Sequence, residues 1–333
     1  MYEEGSDIVT STIKIGIIGY GNLGHGVEKA IQQNHDLELV AIFTRRSPQT
    51  IRSESNLLPI SSIDAYKDRI DVMILCGASS KDLPEQGPLY AASFNTVDSF
   101  DLHSRIPEYF IAVDKAAKKA GKLSLISIGW DPGLFSLARL LFASVLPEGK
   151  SYTFWGKGVS QGHSVAIRRI PGVKQAVQYT VPVPETVEVI RQGAHMELIP
   201  RDQHLRICYV VAEDSADTKS IEKTIKEMPG YFADYDTTVH FITEDEFESK
   251  HTGMPHGGFV IRSGTTGQAH QQQIEFRLAL ESNPEFTASV LVAYARAVFR
   301  LHQAGEIGAR TIFDIPLGYL SPDSPSALRK ALL

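Results

Sequence analysis

Apolar and polar residues alternate in blocks along the first third of the chain. Blocks rich in β-branched residues predict strands at IKIGIIG, LELVAIFT, RIDVMILCG, AASFNTVDSF and LSLISIGW. After the first block, Leu23, Val27, Ala30 and Ile31 recur at helical spacing, and PEYFIAVDKAAKKAGK predicts a second helix that stops at Gly121. Strands that alternate with helices predict an α/β domain with a doubly wound parallel sheet.

The pattern changes after about residue 130, where strand-like segments follow one another closely. These segments are YTFWGKGVS, AVQYTVPV, HLRICYVVA, TTVHFIT, HGGFVIRSG and QQQIEFRLAL, interrupted by the helical TKSIEKTIKEM. They predict a second, α+β domain with an open mixed sheet. NPEFTASVLVAYARAVFRLHQAG then predicts a long helix, which Asn283 and Pro284 open in the N-cap and first-turn positions. We expect this helix to return to the first domain, so that residues 1–130 plus about 284–333 form one domain and 131–283 the other.

Composition and charge limit the class of protein. The chain has 333 residues, is 43% hydrophobic and 22% charged, and carries a net charge of −6, so no basic surface for nucleic acid or anionic membrane is implied. No apolar run is long enough to cross a bilayer, and the opening MYEEGSDIVTST is no signal peptide. Cys76 and Cys208 lie in apolar runs, which favours buried free thiols in a reducing compartment. These features predict a cytoplasmic protein with no nucleic-acid or membrane partner.

The first predicted strand ends in GYGNLG, which has the spacing of a dinucleotide-binding fingerprint. Gly19 permits the tight turn, Gly21 lets the backbone approach a pyrophosphate, and Gly24 lets the helix close on the strand. The helix N-terminus then offers N–H groups and a positive dipole end to the phosphates. The motif therefore predicts a Rossmann-type domain. Its predicted cofactor-binding residues are Gly19, Tyr20, Gly21, Asn22, Leu23 and Gly24.

The end of the second strand indicates which dinucleotide is bound. NAD-binding domains place Asp or Glu there to hold the ribose 2′-hydroxyl, whereas this chain has Thr44, Arg45 and Arg46. Guanidinium groups bind a 2′-phosphate through paired, charge-assisted hydrogen bonds. The alternative is a solvated basic turn. We predict that the cofactor is NADP, bound by all three residues.

Several long segments, in order from about residue 13 to residue 320, resemble the meso-diaminopimelate dehydrogenase family. They are GYGNLG, LCGASSKDLPEQGP, TVDSFDLH, SIGWDPGLFS, FWGKGVSQGHSVAIRRIPGVKQAVQYT, HTGMPHGG and NPEFTAS. The resemblance implies a homodimeric, NADP-dependent enzyme that oxidatively deaminates the D-centre of meso-2,6-diaminopimelate, giving L-2-amino-6-oxopimelate and ammonia. It further implies that the reaction is reversible and serves lysine and peptidoglycan-precursor synthesis. The resemblance also places four further residues beside the cofactor: Cys76, Gly77, Ala78 and Ser79.

Two aspartates are the candidate catalytic residues. Asp101 and Asp131 follow the fourth and fifth predicted strands, and ligands of doubly wound sheets bind at the carboxyl ends of the strands. Aspartate is also common in turns, so the position alone does not decide their role. The resemblance implies that both lie near the reacting amino group of the substrate.

The resemblance assigns a further set of residues to substrate binding. By this resemblance, Arg206 holds the distal carboxylate with Thr180 and His256, while Asn283 contacts substrate or caps its helix. The segment that closes over the substrate contains Trp155, Gln161 and Gly162. From the residues alone, Arg206 would be an exposed strand position, His256 structural and Trp155 part of the core.

The remaining residues do not indicate a second chemistry. The other histidines, including His163 and His204, have no metal-ligand spacing, and we predict no metal. His25 stands where many relatives would have arginine, and CGAS stands where CMGS is expected. Three alternatives remain: an NADP-dependent D-amino-acid dehydrogenase of broader range, a relative such as dihydrodipicolinate reductase or homoserine dehydrogenase, and an NADP-sensing regulatory protein. The lysine-centred motifs of that second group are not seen.

Overall fold

A computed structural model describes residues 12–51, 53 and 55–333. The stretch 1–11, which covers most of the segment tested for a signal peptide, lies outside the described residues. The chain forms two compact units, one containing the described residues up to Leu137 with Pro284–Leu333, the other Ala138–Asn283. Among the described residues, every helix is too short or too polar to cross a membrane.

The described residues form fourteen strands and eleven α-helices. In chain order the elements up to residue 125 are β1 (Ile13–Ile18), α1 (Asn22–Gln32), β2 (Leu37–Thr44), β3 (Leu57–Pro59), β4 (Val72–Leu75), α2 (Leu83–Ala91), β5 (Asn95–Asp98), α3 (Ile106–Ala120) and β6 (Leu123–Leu125). They are followed by α4 (Leu134–Val145), β7 (Gly149–Trp155), β8 (Gly158–Val159), α5 (Gln161–Arg168), β9 (Val173–Pro182), α6 (Pro184–Arg191), α7 (Pro200–Gln203) and β10 (His204–Ala212). The last elements are α8 (Thr218–Lys226), β11 (Asp236–Phe241), α9 (Glu244–Lys250), β12 (His256–Thr266), β13 (His270–Leu280), α10 (Asn283–Gln303), β14 (Gly308–Arg310) and α11 (Pro325–Leu332).

The first unit is built on a seven-stranded parallel sheet with the order β14-β6-β5-β4-β1-β2-β3. The strand order reverses at β1, which pairs with β2 on one side and β4 on the other. In such sheets, ligands bind in the crevice outside the carboxyl ends of the strands at this reversal. The predicted Rossmann-type doubly wound sheet is therefore confirmed.

Alternate residues of β1 enter opposite faces of this sheet. Ile15 and Ile17 are fully buried in a core that also includes Leu291 and Tyr294 of α10, whereas Ile18 joins a second core with Phe94. Because both faces are covered, the strand reads as a continuous apolar run. Helix α10 thus packs within the first unit.

The second unit contains two sheets. One is mixed, with the order β11-β10-β9-β8, in which β10 runs parallel to β11 and antiparallel to β9. The other is antiparallel, with the order β13-β12-β7. The predicted α+β class with a mixed sheet is confirmed, and the strands are divided between two sheets. Cys208 of β10 is a buried free thiol, and Cys76 of the first unit is a half-buried one.

Candidate active site

The glycine turn after β1 has a different backbone requirement at each glycine. Gly19 has φ +92°, a conformation that side-chain-bearing residues rarely adopt. A methyl group on Gly24 would lie 2.2 Å from the Gly19 carbonyl oxygen, so α1 touches the turn there. A methyl group on Gly21 would meet no atom within 4 Å. The turn is therefore closed at Gly24 and open at Gly21, as a pyrophosphate approaching the backbone requires.

Helix α1 begins directly after Gly21, whose carbonyl oxygen accepts the first helical bond, 3.0 Å from the His25 nitrogen. The first turn of α1 presents backbone N–H groups and the positive end of the helix dipole, which together mark an anion-binding end. Tyr20 is buried, and its hydroxyl donates to Glu28. Burial and this bond raise the pKa of Tyr20. The Tyr20 side chain thus anchors the turn, and Leu23 packs on the sheet core.

Thr44 and Arg46 connect the end of β2 to the glycine turn. Thr44 is buried, and its hydroxyl oxygen accepts a hydrogen bond from the Arg46 backbone nitrogen at 3.1 Å. The Arg46 guanidinium donates to the Tyr20 carbonyl oxygen. Since a guanidinium carries five N–H donors, this bond leaves others for a ligand.

Arg45 is connected to a different segment. Its Nη2 lies 2.6 Å from Oδ1 of Asp82, and Oδ2 of Asp82 accepts a bond from the Ala78 nitrogen at 2.9 Å. Asp82 thus connects Arg45, a residue predicted to bind the 2′-phosphate, to the loop that contains Gly77 and Ala78. The sequence analysis missed Asp82, although it lies within the LCGASSKDLPEQGP segment.

The loop after β4 also contacts the loop that carries the first candidate catalytic residue. The backbone nitrogen of Asp101 donates to the Ser79 hydroxyl oxygen at 3.2 Å. Cys76 lies at the start of the same loop, and burial raises the pKa of its thiol well above the usual range. The thiol is therefore protonated and acts as an apolar group near neutral pH.

Asp98, at the end of β5, holds the two aspartate loops together. It is 1% exposed and accepts hydrogen bonds from Phe100 N at 2.9 Å, Tyr109 OH at 2.7 Å and Ser127 N at 3.2 Å. Burial raises the pKa of Asp98 to about 6. Phe100 precedes the first candidate aspartate and Ser127 begins the loop of the second, so one buried carboxylate fixes both. The sequence analysis missed this residue.

Asp131 lies in a tight turn after β6. Gly133 has φ +136°, and a methyl group there would lie 1.7 Å from the Gly129 carbonyl oxygen. Trp130 is buried and packs edge-on against Phe135, with ring centroids 5.2 Å apart. Backbone packing therefore fixes the half-buried Asp131 at the carboxyl end of the sheet.

In the second unit, Arg206 and Thr180 are register partners on β10 and β9. Arg206 is 7% exposed, and its Nη1 donates to the Thr180 hydroxyl oxygen at 2.5 Å. Its Nε is buried without a hydrogen-bond partner, and among the described residues it forms no ion pair. Contrary to the exposed-strand alternative, Arg206 is a buried cation with unused donors.

Neutral groups surround this cation. The Arg206 guanidinium carbon lies 3.8 Å from the ring centroid of Tyr235, which the sequence analysis missed. Burial, together with the charge of Arg206, lowers the pKa of His163 and of His204 to about 4. Both imidazoles are therefore neutral near pH 7 and add no charge beside the Arg206 guanidinium.

Trp155 is held through His204. The Trp155 backbone nitrogen donates to His204 Nε2 at 2.9 Å, and the two rings stack with centroids 5.5 Å apart. Trp155 is 36% exposed, so it is not a core residue. The sequence analysis assigned no role to His204. It lies two positions before Arg206 and therefore shares the same face of β10.

Met254 brings two further candidates together. Its sulfur lies 3.2 Å from Gln161 Nε2, and its carbonyl oxygen accepts a bond from the Asn283 nitrogen at 3.0 Å. Helix α10 begins at Asn283 itself. Next to Gln161, Gly162 has open space where a side chain would project. These contacts place Gln161, Gly162 and Asn283 around one loop.

His256 is packed closely against glycine backbone. Its Nδ1 accepts a hydrogen bond from Gly257 N at 2.8 Å, and a methyl group on Gly158 would lie 2.5 Å from the same nitrogen. Gly158 in turn pairs with Thr180 across β8 and β9. His256 is thereby placed near Thr180, which is the register partner of Arg206. No cluster of three or more His, Cys, Asp or Glu side chains suited to a metal occurs in the part of the chain that the structure describes.

Comparison with known proteins decides the family. Residues 129–282 match the family model of the diaminopimelic acid dehydrogenase C-terminal domain. The curated meso-diaminopimelate D-dehydrogenase of Ureibacillus thermosphaericus is 63% identical, over 97% of this chain and 100% of that protein. The chain belongs to the meso-diaminopimelate dehydrogenase family. The resemblance found in the sequence is therefore confirmed.

Solved structures of this family have the same fold. A meso-DAPDH mutant from Clostridium tetani E88, solved with DAP, is 58% identical with a TM-score of 0.92, covering 96% of this chain and 100% of that one. An engineered D-amino acid dehydrogenase bound to NADP+ is 43% identical with a TM-score of 0.85, covering 97% and 100%. The chain is thus similar in fold to a protein solved with DAP and to one solved with NADP+.

Proposed function

We propose that this protein catalyses the reversible, NADP-dependent oxidative deamination of the D-centre of meso-2,6-diaminopimelate. The products are L-2-amino-6-oxopimelate, ammonia and NADPH, with water supplying the new carbonyl oxygen. The observation that carries the proposal is the buried, uncompensated Arg206 in a member of this family. A cation with unused donors suits a substrate that carries a second carboxylate far from its reacting amine.

NADP binding is assigned to the first unit, as a dinucleotide-binding domain. The open turn at Gly21 and the N-terminus of α1 receive the pyrophosphate. Arg45 and Arg46 bind the 2′-phosphate, since Thr44 stands where a carboxylate would exclude it. The loop Cys76–Ser79 lies on the nicotinamide side.

NADP, when bound, accepts a hydride at its nicotinamide ring. The protein must orient the D-centre and remove a proton from its ammonium group, because only a neutral amine expels hydride from Cα. Asp101 and Asp131 orient the ammonium and receive that proton, directly or through a water. Orientation of the reacting groups is worth up to about 7–11 kcal/mol.

The second unit is assigned to the distal end of the substrate and to dimerisation. Arg206 and Thr180 bind the distal carboxylate, with His256 and Asn283 beside them. Trp155, Gln161 and Gly162 cover the substrate. Support comes from the hydrogen bond between Arg206 and Thr180. It also comes from the contacts of Trp155 with His204 and of Gln161 with Met254.

We also propose a cytoplasmic homodimer in which the reductive direction supplies meso-diaminopimelate for lysine and peptidoglycan precursors. The two free thiols support a reducing compartment. Sedimentation of the purified protein tests the assembly, and a monomer at working concentrations would reject the homodimer.

The experiment that tests the activity follows NADPH by its near-ultraviolet absorbance. The protein is mixed with NADP and, separately, with the meso, LL and DD stereoisomers of diaminopimelate. We expect rapid reduction only with the meso form, because the D-centre reacts while an L-centre fits the distal residues. Equal rates with a D-amino acid that lacks a distal carboxylate would instead favour the broader-range alternative.

A further inference from the structure

Arg206 is held in an unusual way for a buried cation. Buried arginines are generally paired with a carboxylate, since an uncompensated charge away from water is costly. Here the Thr180 hydroxyl contacts one edge of the guanidinium, and the ring of Tyr235 covers its face at 3.8 Å. Both contacts come from neutral groups, so the charge of Arg206 is retained.

A ring on the face of a guanidinium has a geometric consequence. The N–H donors of arginine lie in the guanidinium plane, and a π-face attracts the cation without using them. A carboxylate at the same place would bond in that plane and occupy the fork that binds a second carboxylate. Tyr235 therefore fixes the position of Arg206 while its Nε keeps a free donor.

Tyr235, which stacks on Arg206, lies between two acidic residues in the sequence. Tyr235 is flanked by Asp234 and Asp236, which are both exposed, whereas Tyr235 is half-buried. Register pairing of Arg206 with Thr237 places Tyr235 two residues before the paired position. Of three successive residues, the chain brings the only uncharged one against the cation.

We propose that Tyr235 is a positioning and specificity-determining residue for the distal carboxylate of the substrate. It holds the Arg206 guanidinium by its face and leaves the unpaired Nε donor and the charge of Arg206 to the ligand. This inference rests on the proposed function, because it concerns how the distal end of the same substrate is recognised.

The test compares three substitutions at this position. Tyr235→Phe keeps the ring, Tyr235→Leu removes it, and Tyr235→Glu adds a competing carboxylate. Tyr231→Leu is the matched control. Tyr231 lies in the same loop and is exposed, and its ring does not stack on Arg206. For each protein, kcat and KM are measured with meso-diaminopimelate and with a D-amino acid that lacks a distal carboxylate. NADP affinity and the melting temperature are measured in parallel.

We expect Tyr235→Phe and Tyr231→Leu to stay within about threefold of wild type. Tyr235→Leu should raise KM for meso-diaminopimelate by about ten- to a hundredfold, with kcat changed little, since a desolvated cation–π contact is lost. Tyr235→Glu should raise it further. The D-amino acid kinetics and NADP affinity should not change in any variant.

Two results would overturn the inference. If Tyr235→Leu impaired both substrates equally, the residue would serve only the fold of the loop. If Tyr235→Glu bound meso-diaminopimelate as well as Tyr235→Phe, the charge left on Arg206 would not matter. A wild-type protein that reduced no NADP with meso-diaminopimelate would instead reject the proposed function, and this inference with it.

Discussion

Replacing Asp98 with alanine should destabilise the protein by at least about 3 kcal/mol. The substitution leaves three buried donors without an acceptor, those of Phe100, Tyr109 and Ser127. Each unsatisfied group costs about 1–3 kcal/mol. Since a domain is stable by only about 5–15 kcal/mol, the alanine variant can fail to fold. The informative substitution is therefore Asp98→Asn, which keeps the shape of the side chain.

The asparagine variant should differ from wild type in how its stability depends on pH. Burial raises the pKa of Asp98 to about 6, above the value of about 3.9 expected in the unfolded chain. For an acid with a raised pKa, the folded state binds more protons between these two values. The stability that Asp98 contributes is therefore complete below about pH 4 and is lost as the pH rises through about 6.

The magnitude follows from the size of the shift. About two pKa units at 1.36 kcal/mol each give about 3 kcal/mol, which is the cost of keeping Asp98 ionised at neutral pH. Asparagine has no charge to bury. The free energy of unfolding of Asp98→Asn, relative to wild type, should therefore increase by up to about 3 kcal/mol between pH 4 and pH 7.

Urea unfolding of both proteins across this pH range measures the difference directly. A difference that stays constant from acid to neutral pH would refute the reasoning, because Asp98 would then titrate as it does in the unfolded chain. Turnover gives a second check. Asp98→Asn should retain most activity, since the loops of Asp101 and Asp131 remain bonded. Lost turnover with intact folding and NADP binding would show that the charge itself serves the chemistry.

Four further outcomes are expected. Changing Arg45 and Arg46 together to alanine should raise KM for NADP at least about tenfold and leave NAD kinetics unchanged; equal losses would indicate a folding role. Asp131→Asn should lower kcat by about 10²–10⁴-fold, while fluorescence titration shows unchanged NADP affinity. Arg206→Ala should weaken meso-diaminopimelate binding by about 2–4 kcal/mol and Arg206→Lys by less, with D-amino acid kinetics unaffected in both. The oxidative rate should climb into the alkaline range, because aspartates near the ammonium raise its pKa, and a maximum in mildly acidic buffer would contradict this.

The sequence predicts the elements that are long and strongly patterned. Strands β2 and β10 have the predicted bounds, because eight or nine residues are enough to show the apolar pattern. Strands β3 and β14 were missed because three residues show no period. Helix α2 was missed for another reason: its sequence LPEQGPLYA contains residues that normally interrupt helices. Gly87 is required there, since a methyl group would lie 2.1 Å from the Tyr109 hydroxyl oxygen.

The residues of the candidate site also divide into those that the sequence predicts and those that it does not. The glycine turn is predictable because every requirement lies within six consecutive residues. The stacking of Tyr235 on Arg206 is not, because it depends on the register between β10 and β11. The same holds for Asp98, whose partners come from three separate segments. Such residues carry no local motif, and only the folded chain brings their partners together.

The hydrogen-bond partners of three buried charged residues in this protein distinguish a structural role from a ligand-binding role. Arg296 is 1% exposed, but its guanidinium is bonded to both carboxylate oxygens of Asp36, to Asn34 and to the Leu320 carbonyl oxygen. Asp98 likewise accepts three hydrogen bonds. Arg206 alone of these three keeps a buried donor unused. A cation that folding leaves incompletely bonded gains most from a ligand that completes it, and for this reason we propose Arg206, rather than Arg296, as the arginine that binds the substrate.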